Sequence, residues 1–99
     1  MMECPVSKII NILSKKWTLL ILRQLNNNSK KRFNELLKEM KTISPRTLSI
    51  RLKELEKKGL VKKHKFNEIP PKVEYSLTKS GKHLIKCFKS LDSWVQRYN

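Results

Sequence analysis

The sequence predicts a mostly helical α+β fold: four helices, a two-stranded β-hairpin and a closing helix. Three observations carry this. Apolar residues recur at three-and-four spacing up to residue 58, the pattern switches to alternation after Gly59, and helical spacing returns after Thr78. The 99 residues fit a single domain spanning positions 1–99.

Val6, Ile9, Ile10 and Leu13 form the stripe of a first amphipathic helix behind Pro5, and Lys15 and Lys16 interrupt it. A second helix carries Trp17, Leu20, Ile21 and Leu25, with Leu19 and Leu22 widening its apolar face, so it is expected at the centre of the core. Asn26 to Ser29 end it, because these residue types prefer turns and caps. Phe33, Leu36, Leu37 and Met40 mark the third helix. After a short break at 41–43, Ser44 and Pro45 open the fourth, with Leu48, Leu52 and Leu55 inward and Gly59 as its stop.

From Leu60 to Phe66 the chain reads as a strand rich in lysine, and residues 67–71 are a turn. Val73, Tyr75 and Leu77 alternate with Glu74 and Ser76, the pattern of a half-buried strand. Thr78 caps a last helix bearing Leu84, Ile85, Phe88, Leu91 and Val95, with Trp94 and Tyr98 extending it.

Charge narrows the partners. With 23 Lys and Arg against 8 Asp and Glu, the net charge of +15 calls for a polyanion or an anionic surface. No stretch approaches the roughly 20 apolar residues of a membrane span, and the N-terminus has no apolar run before a cleavage site, so no membrane partner or signal peptide is expected. Cys4 and Cys87 lie far apart, neither a disulfide framework nor a zinc pattern, which suits a cytoplasmic location.

Two helices joined by about three residues, the second opening with small polar and basic residues, match a helix-turn-helix layout. The major groove of B-DNA admits one such helix, whose N-terminal residues reach base edges. With Leu48, Leu52 and Leu55 inward, helical spacing puts Arg46, Ile50, Lys53 and Lys57 opposite, flanked by Ser44, Thr47 and Ser49. Arg46 is the candidate for a bidentate contact to guanine and Ile50 for a thymine methyl, while Lys53 and Lys57 lie nearer phosphates. Lys62, Lys63, His64 and Lys65, with Lys72 on the other arm, make the hairpin a positive wing. Lys30, Lys31 and Arg32 form a third basic cluster suited to the DNA backbone.

Plainer readings exist for each feature. A lysine-bearing helix face is often only solvated surface. Arg51 lies near the buried edge, where Glu54 or Glu35 is in reach to tie helices together. His83 and Cys87 stand four apart on one helix but have no second ligand pair, so no metal site is expected. Trp17 and Trp94 read as core or interface residues. The two glycines sit at element boundaries, no phosphate loop exists, and no catalytic motif is present, so neither enzymatic activity nor a cofactor is expected.

Phe88, Leu91, Trp94, Val95 and Tyr98 are more apolar surface than a terminal helix on a small domain needs, and such a patch marks an interface. Cys4 is the candidate reactive thiol, because it precedes Pro5 at a helix start where the dipole favours a thiolate. Cys87, between Leu84 and Leu91, is expected to behave as a small hydrophobe.

An ordered set of motifs then resembles the HxlR-type winged helix-turn-helix transcriptional regulators. The set comprises Cys4-Pro5, Lys16 to Leu22, Arg32 to Leu36, Ile43 to Leu48, Arg51 to Glu56, Gly59 to Val61 and Pro70 to Thr78. The resemblance implies a winged helix-turn-helix fold. It also implies a homodimer built by the first and last helices, Ile9 included, that acts at a promoter operator on double-stranded DNA. In some members a cysteine at the Cys4 position senses oxidants or electrophiles. The chain departs from the family at Ser14-Lys15, where glycines are frequent, and at Ile50, where a polar residue is common. The rival readings are a binder of any nucleic acid held by charge alone, and a protein-interaction module of the same geometry.

Overall fold

The structure, a computed structural model, describes residues 6–27 and 29–98. Five helices and one hairpin follow in order: α1 (Ser7–Leu13), α2 (Thr18–Gln24), α3 (Phe33–Met40), α4 (Pro45–Lys58), β1 (Val61–Phe66), β2 (Lys72–Leu77) and α5 (Lys79–Tyr98). This is the winged helix-turn-helix arrangement, with α3 and α4 as the helix pair and β1–β2 as the wing.

The core lies where α2, α3, α4 and the base of the hairpin meet. Ile21, Leu22, Leu25, Leu36, Leu48 and Leu55 are fully removed from solvent, with Leu52, Val61 and Leu77 nearly so. Each such side chain contributes roughly 1.5–3 kcal/mol by leaving water.

Helix α2 turns differently from the sequence expectation. Leu20, placed on the inward stripe, is 47% exposed, and Leu19 is also exposed. The cause is the turn before it. Trp17 adopts φ 81°, a left-handed conformation uncommon for a side chain of that size. The helix therefore starts at Thr18, and Thr18, Ile21, Leu22 and Leu25 make the inward stripe at i, i+3, i+4 and i+7. The strain sits beside Ser14-Lys15, where the chain lacks glycine.

Gly59 ends α4 with φ 84°. Its N–H donates to the Glu56 carbonyl, and the Leu60 N–H reaches back to the Leu55 carbonyl, both at 3.0 Å, a left-handed stop that glycine adopts without steric cost. Leu60 is thereby part of the cap, so β1 begins one residue later than predicted. β1 and β2 pair antiparallel, Val61 opposite Leu77 through Phe66 opposite Lys72.

Thr78 joins hairpin, α4 and α5. Its hydroxyl donates to the Gly59 carbonyl at 2.6 Å and accepts the Gly81 N–H at 3.0 Å. Its own N–H donates to the Leu60 carbonyl at 3.0 Å. The approach is close enough that a Cβ at Gly81 would stand 2.2 Å from the Leu60 carbonyl oxygen.

Candidate nucleic-acid interface

The helix-turn-helix is set by its turn. After Met40, Lys41 takes φ 57° and Ile43 is buried, which swings the chain into α4. Ser44 caps the helix: its Oγ accepts the Thr47 N–H at 3.1 Å and donates to the Thr47 hydroxyl at 2.9 Å. Pro45 occupies the first turn, where a missing N–H costs nothing.

On α4, Leu48, Leu52 and Leu55 are buried while Arg46, Lys53 and Lys57 are exposed and Ile50 is 42% exposed. Thr47 and Ser49 are half-buried at the edges. Among the described residues neither Arg46 nor Lys53 forms an ion pair. Arg51 is committed elsewhere. Its Nε donates to the Lys16 carbonyl at 3.1 Å and its Nη1 to Glu54 at 3.0 Å, fastening α4 to the turn before α2. Glu54 also holds Lys15, and that hydrogen bond, reinforced by Arg51, keeps its carboxyl below the ordinary range despite the opposing effect of burial.

The wing sorts its lysines by face. Strand alternation puts Lys63 and Lys65 on the side of Val61, Tyr75 and Leu77, and Lys62, His64 and Phe66 on the other. Lys63 and Lys65 are exposed. Lys72 is less available than its position in the sequence indicates. It is half-buried, lies 3.7 Å from Glu74, and places its ammonium 4.8 Å from the centre of the Phe66 ring.

The third basic cluster is anchored in a way the sequence did not reveal. Lys31 and Tyr75 form an isolated antiparallel bridge, a short third strand beside β2. The Lys31 ammonium is bound by Glu39, leaving Lys30 and Arg32 exposed. The Arg32 N–H donates to Glu35 at 2.9 Å, opening α3. A one-residue bridge has no periodicity to find; only its position before a Phe-led helix hinted at order.

The remaining candidates divide. Ile9 and Phe88 are half-buried against the core, whereas Leu91, Trp94, Val95 and Tyr98 are largely exposed, as are Val6 and Ile10 on α1. Trp94 and Tyr98 lie 5.4 Å apart, ring centre to ring centre. Cys4 lies outside the described residues. Cys87 departs from expectation: it is exposed, and its thiol lies 3.5 Å from the His83 carbonyl. Helical phase explains this, since α5 turns Leu84, Ile85 and Phe88 inward and leaves residue 87 beyond the packed edge.

This arrangement has close counterparts. The chain is 43% identical over 96 residues to the helix-turn-helix-type transcriptional regulator YvaP of Bacillus subtilis, covering 96% of this chain and 88% of YvaP. It is 38% identical over 95 residues to YdeP of the same organism, covering 96% and 73%. Among solved structures, the reduced form of the transcriptional regulator YodB from B. subtilis superposes with a TM-score of 0.87 at 35% identity, covering 98% of this chain and 95% of YodB. The redox regulator HypR in its oxidized form gives 0.83 at 33% identity, covering 97% and 98%. A family model described as HxlR-like helix-turn-helix matches residues 12–99. The chain is thus a transcriptional regulator of helix-turn-helix type, and it belongs to the HxlR-like family.

Proposed function

We propose that this chain forms one domain over residues 1–99 and works as a homodimer, reading a palindromic promoter operator in the cytoplasm without a catalytic step. The observation that carries the reading is the solvent face of α4. Arg46 in its first turn, then Ile50 and Lys53 further along, are exposed there, and among the described residues neither Arg46 nor Lys53 forms an ion pair. Arg46 is assigned to guanine, Ile50 to a thymine methyl, and Thr47 and Ser49 to the edges of the same groove. Lys53, Arg32, Lys63 and Lys65 take phosphates, and Lys72 contributes less because Glu74 already engages it.

The homodimer reading rests on Leu91, Trp94, Val95 and Tyr98, an apolar end of α5 with little among the described residues to pack on. Ile9 and Phe88 extend that surface toward the core. Thiol responsiveness is assigned to Cys4, supported by its place before Pro5 and by likeness to a regulator named for redox control. Selection of bound duplexes from a random pool tests the main reading. Recovery of one palindromic sequence is expected; recovery of unrelated duplexes would instead support a charge-driven binder of any nucleic acid.

A further inference from the structure

Much of the positive charge lies away from α4 and the wing. Along α5, Lys79, Lys82, Lys86 and Lys89 recur at intervals of three, four and three, which aligns them in one stripe, and all four are exposed. An ordinary solvated helix face mixes signs so that neighbours one turn apart attract. This one does not. The single acidic residue of α5, Asp92, is held by Arg23 at 2.7 Å, and the first turn, where the helix dipole disfavours cations, has no acidic residue at all.

The stripe also borders a hollow. Asn26 and Asn27, from the turn after α2, face the four lysines across a space of about 320 Å³. The same turn leads to Lys30, which lines a groove on the hairpin with Lys62, Lys63 and His64. Two basic hollows thus stand on the molecule, one on the wing with Lys30 and one along α5 with Asn26 and Asn27.

We propose that the α5 stripe is a second DNA surface, taking the sugar-phosphate backbone of duplex that flanks the sequence read by α4. This rests on the DNA reading above and extends it. Lysine suits the role because its ammonium is a point charge that meets phosphates without selecting bases. The stretch from Lys79 to Lys89 runs about 15 Å along the helix, enough for several phosphates of one duplex. A lipid surface fits less well, since a membrane-lying helix inserts its apolar side: along the stripe Leu84, Ile85 and Phe88 are packed against the core, and the exposed Leu91, Trp94, Val95 and Tyr98 beyond it are assigned above to the second protomer. Charge complementarity of an all-lysine stripe, on a chain whose α4 reads duplex, identifies the occupant as the same polyanion.

The test compares the full chain with a K79Q/K82Q/K86Q/K89Q variant, its fold checked by circular dichroism. Both are titrated by fluorescence anisotropy over a range of salt, on mixed-sequence duplexes of about two and about five helical turns. Salt slope is the readout, because it counts displaced ions and not the number of places to bind. The unsubstituted chain is expected to show a steeper slope on the longer duplex. The variant should lose that excess, its slope falling by about 3.6 for four phosphates released, while matching the unsubstituted chain on the short duplex. An unchanged slope on the longer duplex overturns the proposal, as does an equal loss on both lengths. If the unsubstituted chain binds neither duplex, the DNA reading itself fails.

Discussion

Lys31 and Tyr75 exchange two backbone hydrogen bonds, the Lys31 N–H to the Tyr75 carbonyl at 2.9 Å and the Tyr75 N–H to the Lys31 carbonyl at 2.8 Å. They tie the wing to the segment that opens α3, so the hairpin is held on two sides. Lys31→Pro deletes one donor and leaves a carbonyl in a mostly buried site without its partner. The expected loss is about 1–3 kcal/mol of local stability. Hydrogen exchange should show the Tyr75 amide opening faster in this variant; unchanged protection there would mean that the bridge does not hold the wing.

Arg46 and the wing lysines should fail differently. Arg46→Ala is expected to weaken binding to the selected operator by ~1–3 kcal/mol and to relax preference at one base position per half-site. Lys63→Ala or Lys65→Ala should lower affinity for all duplexes and flatten the salt dependence. Competition between operator and scrambled duplexes reads both effects. Equal weakening on both duplexes by Arg46→Ala would make Arg46 a phosphate contact.

The apolar end of α5 predicts a dimer at micromolar concentration, with recognition helices about one DNA turn, ~34 Å, apart or at a multiple of that. Trp94→Ala together with Leu91→Ala should shift sedimentation toward the monomer. A native chain that already sediments as a monomer defeats the interface assignment.

Glu54 makes acid stability sensitive to the turn before α2. Its carboxyl is held low, chiefly by Lys15, so the stabilisation is present above the ordinary carboxylate range, roughly pH 4–5, and is lost as pH falls below it. The pair is partly exposed, which limits the effect to less than about 1 kcal/mol. Urea unfolding at pH 7 and pH 3 should show a larger acid-induced loss in the native chain than in Glu54→Gln. Identical losses would leave the Lys15–Glu54–Arg51 group without energetic weight.

Thiol chemistry is open to direct timing. Alkylation at neutral pH, followed by mass spectrometry, is expected to modify Cys4 before Cys87. The exposure of Cys87 makes this a stricter test than burial would have. Equal labelling rates, or unchanged DNA affinity after Cys4 is modified, would end the sensing role.

Most elements were legible because their signals are local. The Ser44-Pro45 start, the Gly59 stop and the Leu48, Leu52 and Leu55 stripe each depend on residues within a few positions of one another. What escaped the sequence depends on distance or on phase. The inward set of α2 moved by a fraction of a turn because Trp17, not a neighbouring glycine, absorbs the left-handed backbone. Lys72 shares a strand face with Glu74, two positions on, and it is the pairing of the arms that sets Phe66 against it. Cys87 fits the spacing of a core position, yet none of the described residues covers that angle of α5. The contact of Lys31 with Tyr75 spans much of the chain and leaves no trace in the residues near either end.

The joint at Thr78 has a mechanical consequence. Gly59 ends the helix that Arg46 opens, and Gly81 lies in the first turn of the helix that Tyr98 ends, so one hydroxyl pins two levers at their near ends. The glycine at 81 removes the slack that a side chain would have wedged into the pivot. α5 runs about 30 Å from that pin, so a displacement of ~3 Å at its tip is a tilt of only ~6°. A tilt of that size bears first on α2 and β2, the elements α5 packs against, and touches α4 only where Thr78 holds the Gly59 carbonyl.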